Sequence, residues 1–556
     1  MLTEAIHGFG TKCCMCVSPI FPEGYDVSEG VASHFVQGDG TKPEYGLEMT
    51  EGMIMQVADY MVNMSVACKE CGFDGVYIHN AYKLNYGRFF SPVTNKRTDK
   101  YGGSLENRIR AALLTFEEIK NACGKDFIIE TSISPFDLED GGWEMEETIR
   151  YAEILQGYAD ILHVRSTDID STCVLGFHGG PTPWLPYAEE VRAKAKTEVK
   201  ILGVGGYHDL EACDRLLADG KVDLIGTACG FIADSDFGLK AVEGRSDDVI
   251  PCIRCNKCHR PPDPEVKSAM CSVNPKWALE HRLDEIVRPP VQCRKVAIVG
   301  GGPAGMNAAL ICADRGHSVT IFEKTGKLGG LLIPASVPSF KWPHKKFLEY
   351  QIHQVEKRNI TVKYNTEATP GMIEAEDFDV VLACIGSEPA IPPIPGAGDD
   401  FILTAKDVLN DDGLAGDKVA IVGGGEIGVE AGMHLAELGH EVVVLEMQSL
   451  LAMDCAPVHY RVAFEKSWKA QPDFHSLVNV TCTKIERGMI FYIDSDGNAN
   501  ALDCDTVVLA TGSKALSAEA AAFFGTAGKF DMLGDCKQPG SLQKLMKNSF
   551  YIANQI

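Results

Sequence analysis

Lys295-Val-Ala-Ile-Val-Gly300-Gly-Gly302-Pro-Ala-Gly305 decides the fold of the C-terminal half. An apolar strand runs into G-x-G-x-x-G and then into a helix. The glycines serve a tight turn, close approach of backbone to a pyrophosphate, and close helix–strand packing, with the helix N-terminus facing the phosphates. A second strand, Ser318-Val-Thr-Ile-Phe-Glu323, ends in an acid able to accept hydrogen bonds from a ribose. The device recurs as Lys418-Val-Ala-Ile-Val-Gly423-Gly-Gly425-Glu-Ile-Gly428, followed by Glu441-Val-Val-Val-Leu-Glu446. One such unit suggests a dehydrogenase. Two, a small domain apart, suggest a flavin held beside a nicotinamide. Glu446 favours NADH, because a carboxylate there bonds a 2′-hydroxyl and repels a 2′-phosphate.

Upstream lies a Cys- and Pro-rich connector, residues 247–290. Cys252-Ile-Arg-Cys255-Asn-Lys-Cys258 is followed, after a twelve-residue gap, by Cys271. Four thiolates from a compact loop suit a [4Fe–4S] cluster, and Cys₄ also suits tetrahedral zinc. Placement favours the cluster: the loop stands before a flavin–nicotinamide module, and zinc carries no electrons. Residues 1 to about 245 alternate β-rich runs with amphipathic stretches, the rhythm of βα units. Candidate strands are 12–17, 72–79, 127–133, 159–164, 199–203 and 223–226, with helices such as 53–71 and 104–123 between them.

The 556 residues imply more than one domain. A net charge of -25 argues against nucleic acid and anionic membrane as partners. No uncharged apolar run approaches the ~20 residues of a membrane span, and the first residues show no secretory signal. With 20 Cys and no such signal, a cytoplasmic protein with metal ligation and buried thiols is expected rather than a disulfide scaffold.

The paired motifs resemble the FAD/NAD(P) disulfide-reductase-like fold, in which the nicotinamide domain is inserted into the FAD domain. Lys327-Leu-Gly-Gly330, Ala383-Cys-Ile-Gly386, Ala510-Thr-Gly512 and Leu533-Gly-Asp535 carry the likeness. It implies that Asp535 binds the flavin ribityl chain. No Cys-x-x-x-x-Cys pair follows the first glycine motif, so the electrons must leave other than through a disulfide. The cysteine run is similar to the linker of 2,4-dienoyl-CoA reductase, trimethylamine dehydrogenase and the bile-acid-inducible NADH:flavin oxidoreductases. Those proteins join an old-yellow-enzyme barrel to the cluster and the FAD/NAD module. Nearly the whole chain is covered.

Within the barrel, the run from Phe73 through His79 and Tyr82 to Arg108 resembles the most recognisable stretch of the old-yellow-enzyme family. The resemblance implies that His79 hydrogen-bonds the carbonyl of an enone or enoyl thioester, so that hydride from FMN reaches the β-carbon. The family's usual proton donor falls on Leu84. Tyr86 and Tyr82 stand nearby, and Tyr82 is the candidate acid. Gly205 and Gly206 retain the phosphate loop. Against this, a flavin-contacting Gln falls on Cys16, a flavin-facing Arg on Ser132, and a phosphate Arg on Cys229. These replacements bring FMN binding into question.

Six strands are recognisable where eight close a barrel. The first two are therefore expected to be missing, which would leave open edges and an apolar interior: either the chain is a fragment, or a partner subunit or second copy covers the gap, or the barrel is remodelled. The expected architecture is an α/β chain: an incomplete TIM-type barrel (1–246), an iron–sulfur linker (247–293), an FAD domain (294–405 and 505–556) and an NAD(H) domain (406–504). The expected activity passes electrons from NADH to FAD, to [4Fe–4S], and to an FMN that reduces an activated C=C bond in a small-molecule acceptor. The rival expectation is an electron-transfer or interaction subunit whose barrel has lost FMN.

Overall fold

The computed structural model describes residues 1–22, 25–27, 47–167, 185–206, 209–259, 270–455 and 459–556. The chain divides into two compact units that meet in sequence at Thr227 and Ala228. Residues 228–246, which the sequence grouped with the barrel, thus pack with the C-terminal unit.

In the N-terminal unit six parallel strands pair in chain order: β1 (Cys14–Val17), β2 (Gly75–His79), β3 (Ile128–Ile133), β4 (Ile161–Val164), β5 (Lys200–Val204) and β6 (Leu224–Gly226). Each matches a candidate strand to within a few residues. The intervening helices include Glu51–Glu70 and Arg110–Cys123. The expected 104–123 helix breaks into two, Leu105–Arg108, capped by the Ser104 hydroxyl, and Arg110–Cys123.

Strand alternation sorts the side chains. Val76, Ile78, Ile129, Leu162, Val164 and Ile201 turn one way and are fully buried in the apolar core shared with the helices. The other face carries Cys16, Tyr77, His79, Glu130, Ser132 and His163, brought side by side by the strand register. The interior expected to be apolar thus carries a cluster of polar groups as well. That face is mixed: polar residues crowd the ends of β2–β4, while Ile128, Ile161, Leu202 and Leu224 share it by register.

The C-terminal unit holds two parallel five-stranded sheets. The first contains β7 (Lys295–Val299), β8 (Ser318–Phe322), β9 (Thr361–Lys363) and β10 (Val380–Ala383), in the order β9-β8-β7-β10 followed by the late strand Lys529–Met532. The second is centred on β11 (Lys418–Val422) and β12 (Glu441–Leu445), with Thr506–Leu509 on the other side of β11. The second sheet is inserted between β10 and the return to the first. An antiparallel pair, Ser387–Pro389 with Ser513–Ala515, lies at the crossing. Among the described residues no helix is long and apolar enough to cross a membrane.

Candidate functional site: two dinucleotide cradles, a thiol cluster and a polar barrel face

Each glycine motif joins a strand to a helix, Pro303–Asp314 after β7 and Glu426–Glu437 after β11. Gly300 and Gly423 both have φ of 108°, and a Cβ on either would collide with a carbonyl, that of Cys384 or Ala510. Gly305 and Gly428 pack on the carbonyls of Gly300 and Gly423, so each helix rides directly on its own turn.

The acids occupy equivalent places. Glu323 accepts the Gly301 N–H at 2.9 Å and the Thr325 N–H at 2.7 Å. Glu446 accepts the Gly424 N–H at 2.7 Å and the Gln448 N–H at 2.7 Å. These bonds tie the glycine turn to the second strand, and a carboxylate retains lone pairs for a ribose.

The first cradle leaves room for a dinucleotide against its backbone. A Cβ on Gly302 would meet only the Cα of Gly330, at 4.0 Å, and one on Gly330 would lie 3.1 Å from the Cα of Gly302. The two glycines thus face each other across a slot that side chains would fill. Asp535 follows Gly534, where a Cβ would lie 3.0 Å from that of Ala304, near the start of the same helix. Burial raises the pKa of Asp535.

The second cradle holds contacts that its sequence did not announce. Asp454 accepts the Glu426 N–H at 2.8 Å, at the helix N-terminus. Lys341 forms a buried ion pair with Glu430, two residues past the last glycine of the motif. Burial pushes Glu430 up to about 7, while Glu430, Tyr460 and Glu426 around Lys341 outweigh its burial and keep it charged. The acid two places after G-x-G-x-x-G was the available signal.

The connector gathers its cysteines. Arg254 and Asn256 have φ of 55° and 56°, and these left-handed residues turn the loop back between successive cysteines. Burial and neighbouring sulfurs push Cys258 up to about 12 and Cys271 up to about 11. The Arg254 N–H reaches the Cys252 sulfur at 3.4 Å, and the Cys255 sulfur lies 3.1 Å from the Ser272 hydroxyl. Cys271 accepts backbone hydrogen bonds from Val273 and Asn274.

Such crowding of thiols, with N–H donors aimed at sulfur, fits a group that takes all four as thiolates. Among the described residues no three His, Cys, Asp or Glu side chains are placed to hold one metal ion. Cys229, which the sequence placed at a phosphate position, instead hydrogen-bonds Cys252.

On the barrel face His79 ends β2. Its Nδ1 lies 3.4 Å from the Ser132 hydroxyl. Burial, aided by the charge of Arg165, lowers its pKa to about 4. The loop beyond is held in an unusual conformation: Tyr82, Lys83 and Asn85 all have positive φ. Asn80 bonds Thr131 and Tyr86, Ser134 takes the Tyr82 N–H, and Asn85 donates to the His79 carbonyl.

Tyr82 stands beside His79, ring centroids 5.3 Å apart. Tyr86 is buried on the helical side with its hydroxyl 2.8 Å from Thr115, so it is no alternative acid. The retained stretch after it is scaffold. Asn95 donates to the carbonyls of Phe89 and Tyr101, Arg97 to those of Val27 and Met49, and Arg108 pairs with Glu147. Gly205 and Gly206, past β5, have φ of 118° and 87°.

A βα sheet with a polar cluster on its inner face, two dinucleotide cradles and a four-cysteine loop define an NAD(P)H-dependent flavoprotein oxidoreductase. Residues 17–248 match the NADH:flavin oxidoreductase / NADH oxidase family, and residues 294–521 match the pyridine nucleotide-disulphide oxidoreductases. An NADH oxidase from Thermoanaerobacter brockii is 32% identical, over 100% of this chain and 86% of its own length. A cinnamate reductase from Clostridium sporogenes is 30% identical, over 92% and 79%. The solved 2-naphthoyl-CoA reductase complex with 2-naphthoyl-CoA superposes with a TM-score of 0.87 at 27% identity, over 99% of this chain and 83% of that one. The chain belongs to the NADH:flavin oxidoreductase / NADH oxidase family.

Proposed function

We propose that the enzyme couples NADH oxidation at the paired cradles to reduction of an activated C=C bond at the barrel face, in a small-molecule enone, enoate or enoyl thioester. The observation that carries this reading is His79, held neutral beside Tyr82 at the C-terminal end of a barrel strand, where barrel active sites sit. The relatives named for cinnamate and 2-naphthoyl-CoA reduction support the acceptor class.

When bound, FAD would accept hydride from NADH, a [4Fe–4S] cluster would carry single electrons, and FMN would deliver hydride to carbon. Gly300, Gly302, Gly305, Glu323, Gly330 and Asp535 would hold FAD, and Gly423, Gly425, Gly428 and Glu446 would hold NADH. Cys252, Cys255, Cys258 and Cys271 would hold the cluster, and Gly205 and Gly206 the FMN phosphate. The rest is the chain's own chemistry. A neutral His79 donates an N–H to the acceptor carbonyl without first losing a proton. Tyr82 holds a proton on its phenol beside it. The balance is one C=C bond, one NADH and one proton in, and NAD⁺ and the saturated product out.

Acid release of flavin from anaerobically purified protein tests the proposal. Equal FAD and FMN, with about four irons per chain, is the expected result. FAD alone would exclude the barrel step and leave the electron-transfer reading, which the replacements at Cys16 and Ser132 favour.

A further inference from the structure

The polar barrel face carries a cation that the sequence analysis passed over. Arg165 directly follows β4, its N–H bonded to the Ile133 carbonyl at 3.0 Å. Its side chain is clamped by phenols. Nε donates to the Tyr82 hydroxyl at 3.0 Å, Nη1 donates to the Tyr77 hydroxyl at 3.1 Å, and the guanidinium lies 5.6 Å from the Tyr82 ring centroid. Tyr77 is also hydrogen-bonded to Ser132. The charge therefore spans the face from β2 to β4, over a buried serine too small to obstruct it.

Among the described residues no carboxylate pairs with this guanidinium. The acid on the same face, Glu130, is taken by His163 at 3.1 Å and by the Cys14 thiol. A guanidinium has five N–H donors, and two of these meet phenols, which are neutral acceptors. A half-buried cation held by neutral phenols, with no carboxylate partner among the described residues, is left able to pair with an anionic ligand. The phenols fix the planar fork in place, so little entropy is lost when its free edge is used. Neutral His79 can orient such a ligand but supplies no charge.

We propose that Arg165 is the anion-recognition residue of the barrel face, and that it takes a planar, delocalised anion. The carboxylate of an unsaturated acid has that chemistry, and so does the pyrimidine edge of a reduced flavin. The inference rests on the preceding reading of the barrel face as the reducing site.

The test uses holoenzyme carrying Arg165→Gln or Arg165→Lys, with FAD content and circular dichroism as folding controls. Three quantities are read: FMN per chain, the midpoint potential of the barrel flavin, and calorimetric affinity for trans-cinnamate against its methyl ester. If the anion is the substrate, Arg165→Gln weakens cinnamate ~10- to 100-fold and leaves the ester unchanged. If it is the flavin, the same variant loses FMN or lowers its potential while the acid-to-ester ratio stays put. Arg165→Lys should fall between, keeping charge without the fork. Wild-type FMN content, wild-type potential and an unaltered acid-to-ester ratio in Arg165→Gln would overturn the inference. Wild-type protein without FMN would instead sink the function proposed above, and the calorimetric comparison would still judge Arg165.

Discussion

His79 is built to donate a hydrogen bond and not to titrate in the working range. Its pKa, about 4 in the folded chain, lies below the ~6.5 of a free imidazole. As pH falls through 6.5 the unfolded chain takes the proton and the native one does not. Stability is therefore lost from about pH 6.5 down to about pH 4. Buried His344, also held well below its ordinary value, pulls the same way. Denaturant titrations at pH 7.5, 6 and 5 should show this decline, and His79→Leu should flatten part of it. The same variant removes one donor to the developing oxyanion, so C=C reduction should fall ~10²–10³-fold. NADH-dependent reduction of a soluble dye should not change. His79 was legible because a distinctive run surrounds it. Arg165 was not, since only strand register places it over Ser132. The resemblance already preferred Tyr82 to Tyr86, and packing separates them: Tyr82 stands beside His79 while Tyr86 enters the core.

Both glycine turns were readable as elements because strand, turn, helix and distal acid lie in one continuous stretch. What closes over them was not. Asp454 reaches the Glu426 N–H from 28 residues away, and Lys341 reaches Glu430 from still farther along the chain. No local pattern announces either contact. The near identity of the turns hides a difference that mutation can expose. Gly302 faces an open slot against Gly330, whereas a Cβ on Gly425 would meet the Asp454 carboxylate at 3.3 Å. Gly302→Ala should yield folded protein with little FAD, because the methyl enters the slot where a pyrophosphate must lie against backbone. Gly425→Ala should keep its FAD and raise the KM for NADH. Flavin content and steady-state NADH titrations separate the two. Loss of FAD from Gly425→Ala would mean that the assignment of cofactors to turns is reversed.

At the scale of the whole molecule, the thiol cluster and both cradles fall in one compact unit, while the polar barrel face falls in the other. NADH oxidation should therefore survive any change that stops electrons from leaving that unit, and Cys271 is the position at which to cut. Its sulfur is buried among the neighbouring thiols and bonded by backbone N–H groups, yet it contributes nothing to the slot between Gly302 and Gly330. Cys271→Ser preserves shape and removes one soft anionic ligand, a loss that a four-iron cluster tolerates poorly. The variant should hold FAD at wild-type level, lose most of its iron, and reduce ferricyanide from NADH at an undiminished rate. Its reduction of an enoate should drop to background. If enoate reduction persists with the iron gone, electrons reach the barrel face without the thiolate-bound carrier, and the four cysteines serve structure alone.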